Sequence, residues 1–117
     1  MSRRTERVSD LLRVELSQLV MREVHDPRVK LATVNSVAVT PDLGRAVVQI
    51  SALGTEEERL ATIEGLRHAK GFLRTELAHR LRLRITPELV FELDRGAEHS
   101  QKISDLLEGL HVGDESS

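Results

Sequence analysis

The chain has 117 residues, 39% hydrophobic and 31% charged, with a formal net charge of −2, a size and balance that predict one domain with a core needing no staples. No hydrophobic run exceeds three residues, which excludes an apolar membrane-spanning helix, and the opening Met1-Ser2-Arg3-Arg4-Thr5-Glu6 has no apolar stretch that would predict a secretory signal. The absence of cysteine removes disulfides, thiolate metal ligands and thiol chemistry together, and predicts a cytoplasmic setting.

Val8, Leu11, Leu12, Leu16, Leu19, Val20 and Val24 recur at helical spacing and predict an amphipathic helix over about residues 4–24. Asp26-Pro27 ends it, because the residue before proline is pushed out of the helical region. The β-branched run from Thr33 to Val39 predicts a strand between Leu31 and Thr40. Pro41-Asp42-Leu43-Gly44 has turn composition. Ala46, Val48, Ile50 and Ala52 then alternate with Arg45, Val47, Gln49 and Ser51, which predicts a hairpin partner. Thr55-Glu56-Glu57-Glu58 marks a helix start, with a threonine cap, a capping-box glutamate and carboxylates at the positive end of the helix dipole. Leu60, Ile63 and Leu66 continue that helix. A second helix is predicted from about Gly71 to Leu83, stopping before Thr86-Pro87. Leu89, Phe91 and Leu93 alternate with Glu88, Val90, Glu92 and Asp94 as a third strand. Ile103, Leu106, Leu107 and Leu110 suggest a short terminal helix. The predicted organisation is a folded domain over 1–96, a helix packed on or beside it over 97–110, and a disordered acidic tail over 111–117.

Leu66, Leu73, Leu77 and Leu81 mark one helical face, and an unbroken helix would place Lys70 inside it, where an unpaired ammonium is costly. Gly71 is a poor interior helix residue and an easy place to bend. Two helices meeting at Ala69-Lys70-Gly71, with Lys70 turned to solvent, resolve the conflict. A lysine at a new helix N-terminus is also placed to meet a phosphate. The element order gives an α+β sandwich with helices on one sheet face. That order resembles the type II KH fold, a single-stranded nucleic-acid binding module.

The modest net charge hides an asymmetry. Residues 67–84 carry Arg67, Lys70, Arg74, Arg80, Arg82 and Arg84 against the single acid Glu76, while residues 98–117 carry Glu98, Asp105, Glu108, Asp114 and Glu115 against Lys102. Local field rather than net charge steers a polyanion. Any one helix-surface arginine is often merely solvated, but this cluster reads as an RNA surface. Lys70 and Arg74 at the break are its first candidates; Arg67, Arg80, Arg82 and Arg84 follow, some with Glu76, Glu88 or Glu92 as possible partners. Arg3, Arg4 and Arg7 form a second cluster, either terminal solubilisers or an extension of the same surface. Arg28, Lys30 and Arg45 are weaker candidates. The two aromatics, Phe72 and Phe91, both sit on apolar patterns and are predicted core, so recognition is expected by shape and backbone rather than stacking. His68 and His79 would stand about 16 Å apart along a straight helix, His25 merely abuts Asp26, and His99 and His111 have no partner at i+3 or i+4. No metal site is predicted. No nucleophile elbow, phosphate loop or carboxylate pair appears, which predicts a non-enzyme without catalytic residues or cofactor.

Arg7-Val8, Leu16, Asp26-Pro27-Arg28, Thr33-Val34, Val37, Val39, Pro41-Asp42-Leu43 and, above all, the block from Ala69 to Leu77 resemble the ribosome-binding factor A family. The likeness continues through Arg80-Leu81, Leu83-Arg84, Thr86-Pro87-Glu88-Leu89, Phe91 and Asp94, and spans about residues 3–110. It implies a KH-like fold in which an Ala-x-Gly interhelical kink at Ala69, Lys70 and Gly71 replaces the Gly-x-x-Gly loop, a motif this chain lacks. It also implies a monomeric, cytoplasmic factor that binds the free small (30S) ribosomal subunit. Such a factor aids late maturation and processing of the 5′-terminal region of 16S rRNA, leaves before translation and matters most in the cold. The alternatives are a protein–protein adaptor working through the acidic terminus and an RNA-processing hydrolase. An adaptor has no need of a basic block at a kink.

Overall fold

The computed structural model describes residues 3–29 and 32–96. Helix α1 (Arg3–Glu23) buries Leu12, Leu16 and Leu19 along one face as its periodicity requires, while Leu11 falls outside that face and is exposed. A single 3-10 turn at Pro27–Val29 follows. Asp26 seeds this turn: its Oδ1 accepts from the Arg28 backbone N–H at 2.9 Å and its carbonyl from the Val29 N–H at 2.9 Å.

Strands β1 (Ala32–Val39) and β2 (Arg45–Ala52) pair antiparallel as the expected hairpin. The register shifts between Val34 and Ser36, a bulge that lets Val34 and Val37 both face the core although simple alternation would separate them. In the connecting turn the left-handed residue is Leu43, at φ 61°, rather than Gly44. Asp42 holds that conformation, its Oδ1 accepting from the Gly44 N–H at 2.9 Å and from the Thr40 hydroxyl at 2.7 Å. These bonds keep the Asp42 carboxyl below its ordinary pKa.

Strand β3 (Glu88–Leu93) pairs parallel to β2, so the sheet order is β1-β2-β3. A parallel neighbour needs a crossover, and helices α2 (Glu56–His68) and α3 (Lys70–Leu81) supply it. The capping box forms in full, with the Glu58 N–H donating to Thr55 Oγ1 at 3.1 Å and the Thr55 N–H to Glu58 Oε1 at 2.7 Å. Helix α1 packs over β1 and α2 over β3, and Val48, Ile50, Leu73, Leu77 and Phe91 join the α1 leucines in one core. The result is the expected α+β, KH-like architecture. The terminal helix and acidic tail expected over 97–117 lie outside the described residues.

The interhelical break is where the sequence places it, but its mechanics differ from expectation. Ala69, at φ −88° and ψ 2°, both ends α2 and opens α3. Helix α3 therefore starts at Lys70, one residue before Gly71, and stops at Leu81 because Arg82 turns left-handed at φ 50°. Gly71 is not the bend: it sits inside the first turn of α3, with nothing within 4 Å of the position its Cβ would occupy. Restarting the helix at Lys70 also shifts the phase of the apolar pattern. Leu73 is fully buried, whereas Phe72 is 44% exposed, against 1% for Phe91. The expectation of two core aromatics thus holds for Phe91 alone. Leu60 is likewise exposed, because α2 turns Thr62, Ile63, Gly65 and Leu66 inward.

Packing depends on Gly65 instead. A Cβ there would stand 2.8 Å from Val29 Cγ2. One turn earlier the Thr62 hydroxyl donates to the Arg28 carbonyl at 2.8 Å, so α2 lies directly on the 3-10 turn. Gly65→Ala should therefore destabilise by about 1–3 kcal/mol through overpacking. Gly71→Ala, in open space on a helix, should stabilise by about 0.4–1 kcal/mol. Urea unfolding midpoints of the two variants check the contrast.

Candidate nucleic-acid interface

The cations of the 67–84 stretch divide by what holds them. Arg74 is half-buried and commits its guanidinium to backbone: Nε donates to the Pro87 carbonyl at 3.1 Å and Nη2 to the Thr86 carbonyl at 2.9 Å. It thereby clamps the loop after α3 against the helix. Arg80 bonds Glu76 one turn earlier at 3.3 Å and Glu15 of α1 at 3.4 Å. The Glu76 bond, with Glu15 adding to it, raises the Arg80 pKa. Arg67 pairs with Glu64 at 3.3 Å on the outer side of α2. Lys70 at the kink is 40% exposed, its Nζ 3.8 Å from Glu88 Oε2. Arg82 and Arg84 are exposed and form no ion pair among the described residues.

The two basic clusters meet in space. Arg4 of α1 and Arg84 line one small cleft together with Val8, Leu43, Leu83 and Pro87. Arg3 and Arg7 are exposed in the same first turns of α1, and like Arg4 they have no ion pair among the described residues. Arg45 stands opposite Glu88 in the sheet register, and both line a hollow against Thr40 and Asp42. Glu88 therefore links the kink to the hairpin turn. One edge of the molecule carries Lys70, Arg45, Arg84 and Arg4, with Glu88 and Asp42 as acids among them.

The other side of the kink carries a network that no sequence pattern announces. Asp26 clasps Arg28, with Nη2 to Oδ2 at 2.6 Å and Nε to Oδ1 at 3.0 Å. This bond, reinforced by the Arg28 backbone N–H, holds the Asp26 carboxyl at a pKa of about 2. Arg28 Nη2 also donates to His68 Nδ1 at 3.0 Å. His25, Asp26, His68, Ala69 and Phe72 line an open hollow at this junction. Only the adjacency of Asp26, Pro27 and Arg28 carried a signal, since His68 joins from the end of α2. Lys30, His99 and His111 lie outside the described residues. Among the described residues no cluster of three histidine, aspartate or glutamate side chains could hold a metal ion, and no helix is long and apolar enough to cross a membrane.

The sequence model of the family described as "Ribosome-binding factor A" matches residues 4–107, a span that includes the kink, the Arg74 clamp and the cleft. The chain belongs to the ribosome-binding factor A family. It is 41% identical over 112 residues to Ribosome-binding factor A of Caldanaerobacter subterraneus subsp. tengcongensis, with 95% of this chain and 92% of that one covered. The crystal structure of ribosome-binding factor A from Thermus thermophilus superposes with a TM-score of 0.70 at 28% identity, covering 79% of this chain and 98% of that one. A homology model of the T. thermophilus factor, as fitted into a cryo-EM map of its complex with the 30S subunit, gives a TM-score of 0.63 at 30% identity, covering 75% and 92%.

Arg74→Ala would leave the Thr86 and Pro87 carbonyls without their donor. It should cost about 1.5–3 kcal/mol, the range for hydrogen bonds to a charged group, with little recovery in Arg74→Lys because a single ammonium lacks the planar fork. Thermal unfolding of the two variants checks this. Asp26 predicts an acid-side dependence. Its folded pKa of about 2 lies below the usual 3.8, so its contribution is present above about pH 4 and is lost as pH falls through the window down to about 2. Asp26→Asn should remove that component, as denaturant titrations across the window would register.

Proposed function

We propose that this protein is a non-enzymatic assembly factor that binds the free 30S ribosomal subunit, assists late maturation and 5′-end processing of 16S rRNA, and acts as a cytoplasmic monomer. The observation that carries this reading is the likeness to the T. thermophilus factor fitted into the map of its 30S complex.

The surface chemistry supports it. Phosphate contacts dominate RNA affinity, and the edge carrying Lys70, Arg84 and Arg4 gathers cations from two segments distant in the chain. The Lys70–Glu88 contact at 3.8 Å is an exposed pair, of the kind that contributes only about 0–1 kcal/mol, so a phosphate displaces Glu88 at little cost. The empty space over Gly71 leaves room for an RNA backbone to reach the first amides of α3. Arg74 has a different part in this reading. Its guanidinium is already engaged, so it acts by fixing the loop that presents Arg82 and Arg84. Arg67 and Arg80, each held by a neighbouring carboxylate, contribute positive field at the margins. The mechanism is population shift: binding one local rRNA conformation more tightly than its competitors enriches it, and loss of that preference on maturation releases the protein. Alternative rRNA conformers exchange more slowly in the cold, which is where such selection matters most.

The test is charge reversal. The triple variant Lys70→Glu, Arg4→Glu, Arg84→Glu should lose co-sedimentation with free 30S subunits at low salt while keeping its circular dichroism and thermal midpoint. Retained co-sedimentation would sink the reading. Neutralising one of these cations at a time should flatten the slope of log affinity against log salt by about 0.7 for each single-strand phosphate contact removed. Precursor 16S rRNA incubated with the pure protein should remain uncut; cleavage would point to a hydrolase.

A further inference from the structure

Phe72 is the aromatic among the exposed large apolar side chains of the described residues. It is one of only two aromatic residues in the protein, and 44% of it is exposed while its neighbour Leu73 is fully buried. Exposing that much apolar ring forgoes stabilisation that burial would supply. The break at Ala69 is what keeps it out, by restarting the helix with Leu73 and Leu77 inward. The ring borders the open hollow whose other walls are Glu23 at the end of α1, Val24, His25 and Asp26 after it, and Gly65, His68 and Ala69 at the end of α2.

This hollow has a particular chemistry. One wall offers an aromatic face. The others carry hydrogen-bonding groups held in place: the Asp26 carboxylate, fixed by Arg28 at 2.6 Å, and His68, whose Nδ1 lies 3.0 Å from the same guanidinium. Because Asp26 is held at a pKa of about 2, it is an acceptor across the whole neutral range. Arg28 itself is 37% exposed beside Asp26 and His68, and Arg67, 55% exposed, directly precedes His68 on α2. An aromatic face, polar partners for a base edge and nearby cations for the adjoining phosphates are what a splayed-out nucleotide requires. A protein side chain seeking apolar cover is a poorer match, since charged and imidazole groups occupy so much of the rim.

We propose that Phe72 and the hollow beside it receive one unpaired RNA base, stacked on the phenyl ring. This rests on the reading of the chain as an rRNA-binding protein, and adds to it a single base contact within a surface otherwise built for phosphates.

The chain has no tryptophan and no tyrosine, so Phe72→Trp places the sole indole at the proposed contact. Its emission should be quenched when a single-stranded RNA decamer binds, and should change little with heparin, a polyanion without bases. Phe72→Leu keeps apolar bulk but loses the π face. It should weaken decamer binding about five-fold or more, the lower end of what one base–aromatic stack contributes. It should leave the thermal midpoint and the salt slope unchanged, since no phosphate contact is removed. Lys70→Ala should show the opposite pattern, with a flatter salt slope and unaltered quenching of the indole at saturation in a Phe72→Trp background. Wild-type decamer affinity in Phe72→Leu, or equal quenching by heparin, overturns the stacking contact while leaving the RNA-binding reading intact. Loss of 30S binding in Phe72→Leu with unchanged decamer affinity also overturns it, and assigns the hollow to a protein partner. A wild-type protein that binds neither decamer nor 30S subunits removes both readings.

Discussion

The parallel pairing of β2 with β3 is the constraint from which the rest of the molecule follows. It obliges the chain to travel back along the sheet before β3 can begin. A single helix from Glu56 to Leu81 would be about 39 Å long at 1.5 Å per residue, while an eight-residue strand spans about 26 Å. A straight crossover would overshoot the sheet. Breaking it at Ala69 yields helices of 13 and 12 residues, about 20 and 18 Å long, each within the length of the eight-residue strands. The kink is thus a requirement of topology before it is anything else, and the displacement of Lys70 from the apolar face is part of the same solution.

That constraint also decides which residues meet. Since β3 must begin beside β2, Glu88 comes to lie opposite Arg45, and its N–H donates to the Gly44 carbonyl at 2.9 Å. The loop from Arg82 to Pro87 then has to double back along α3, where Arg74 holds it by two carbonyls. The same return brings Arg84 to Arg4 and Leu43 across a small cleft. A fold that shortens its crossover by bending it therefore delivers two distant basic segments to one edge. On the opposite side of the bend, the 3-10 turn seeded by Asp26 is received by Gly65 and Thr62 of α2, which braces the junction against the pull of the loop.

Elements whose signal is local were legible in the sequence. The capping box from Thr55 to Glu58, the hairpin turn after Thr40 and the break at Ala69 all lie where residue chemistry places them. What failed depended on phase or on partners remote in the chain. Phe72 sits on an apolar pattern that predicts core, yet a break resets helical phase, and Leu73 rather than Phe72 inherits the buried position. The bulge at Val34–Ser36 does the same to a strand, rescuing Val37 for the core where strict alternation would expel it. Arg74 could not be told from a solvent-facing arginine, since its partners are two backbone carbonyls that no side-chain pattern announces. The meeting of Arg4 with Arg84, and of Arg28 with His68, needed the tertiary path of the chain.

On the proposed function, the division among the basic residues bears on how a protein of net charge −2 would hold and then leave an RNA. Arg74 is tied to the fold by two hydrogen bonds to backbone carbonyls and Arg80 by contacts to two carboxylates, so releasing Arg74 for a ligand would cost stability. Lys70 is tied only by a long, exposed contact to Glu88, and Arg82, Arg84 and Arg4 by no ion pair among the described residues. On the proposed function, affinity is then carried by groups that need no structural rearrangement to engage, and the scaffold stays the same bound or free. Such contacts are individually weak and sensitive to salt, so tight binding requires several phosphates to be in register at once. A maturing rRNA that moves even a few of them out of register loses affinity multiplicatively. On that proposal, selective hold and ready release come from the same feature, an edge of loosely engaged cations on the core that the bent crossover covers.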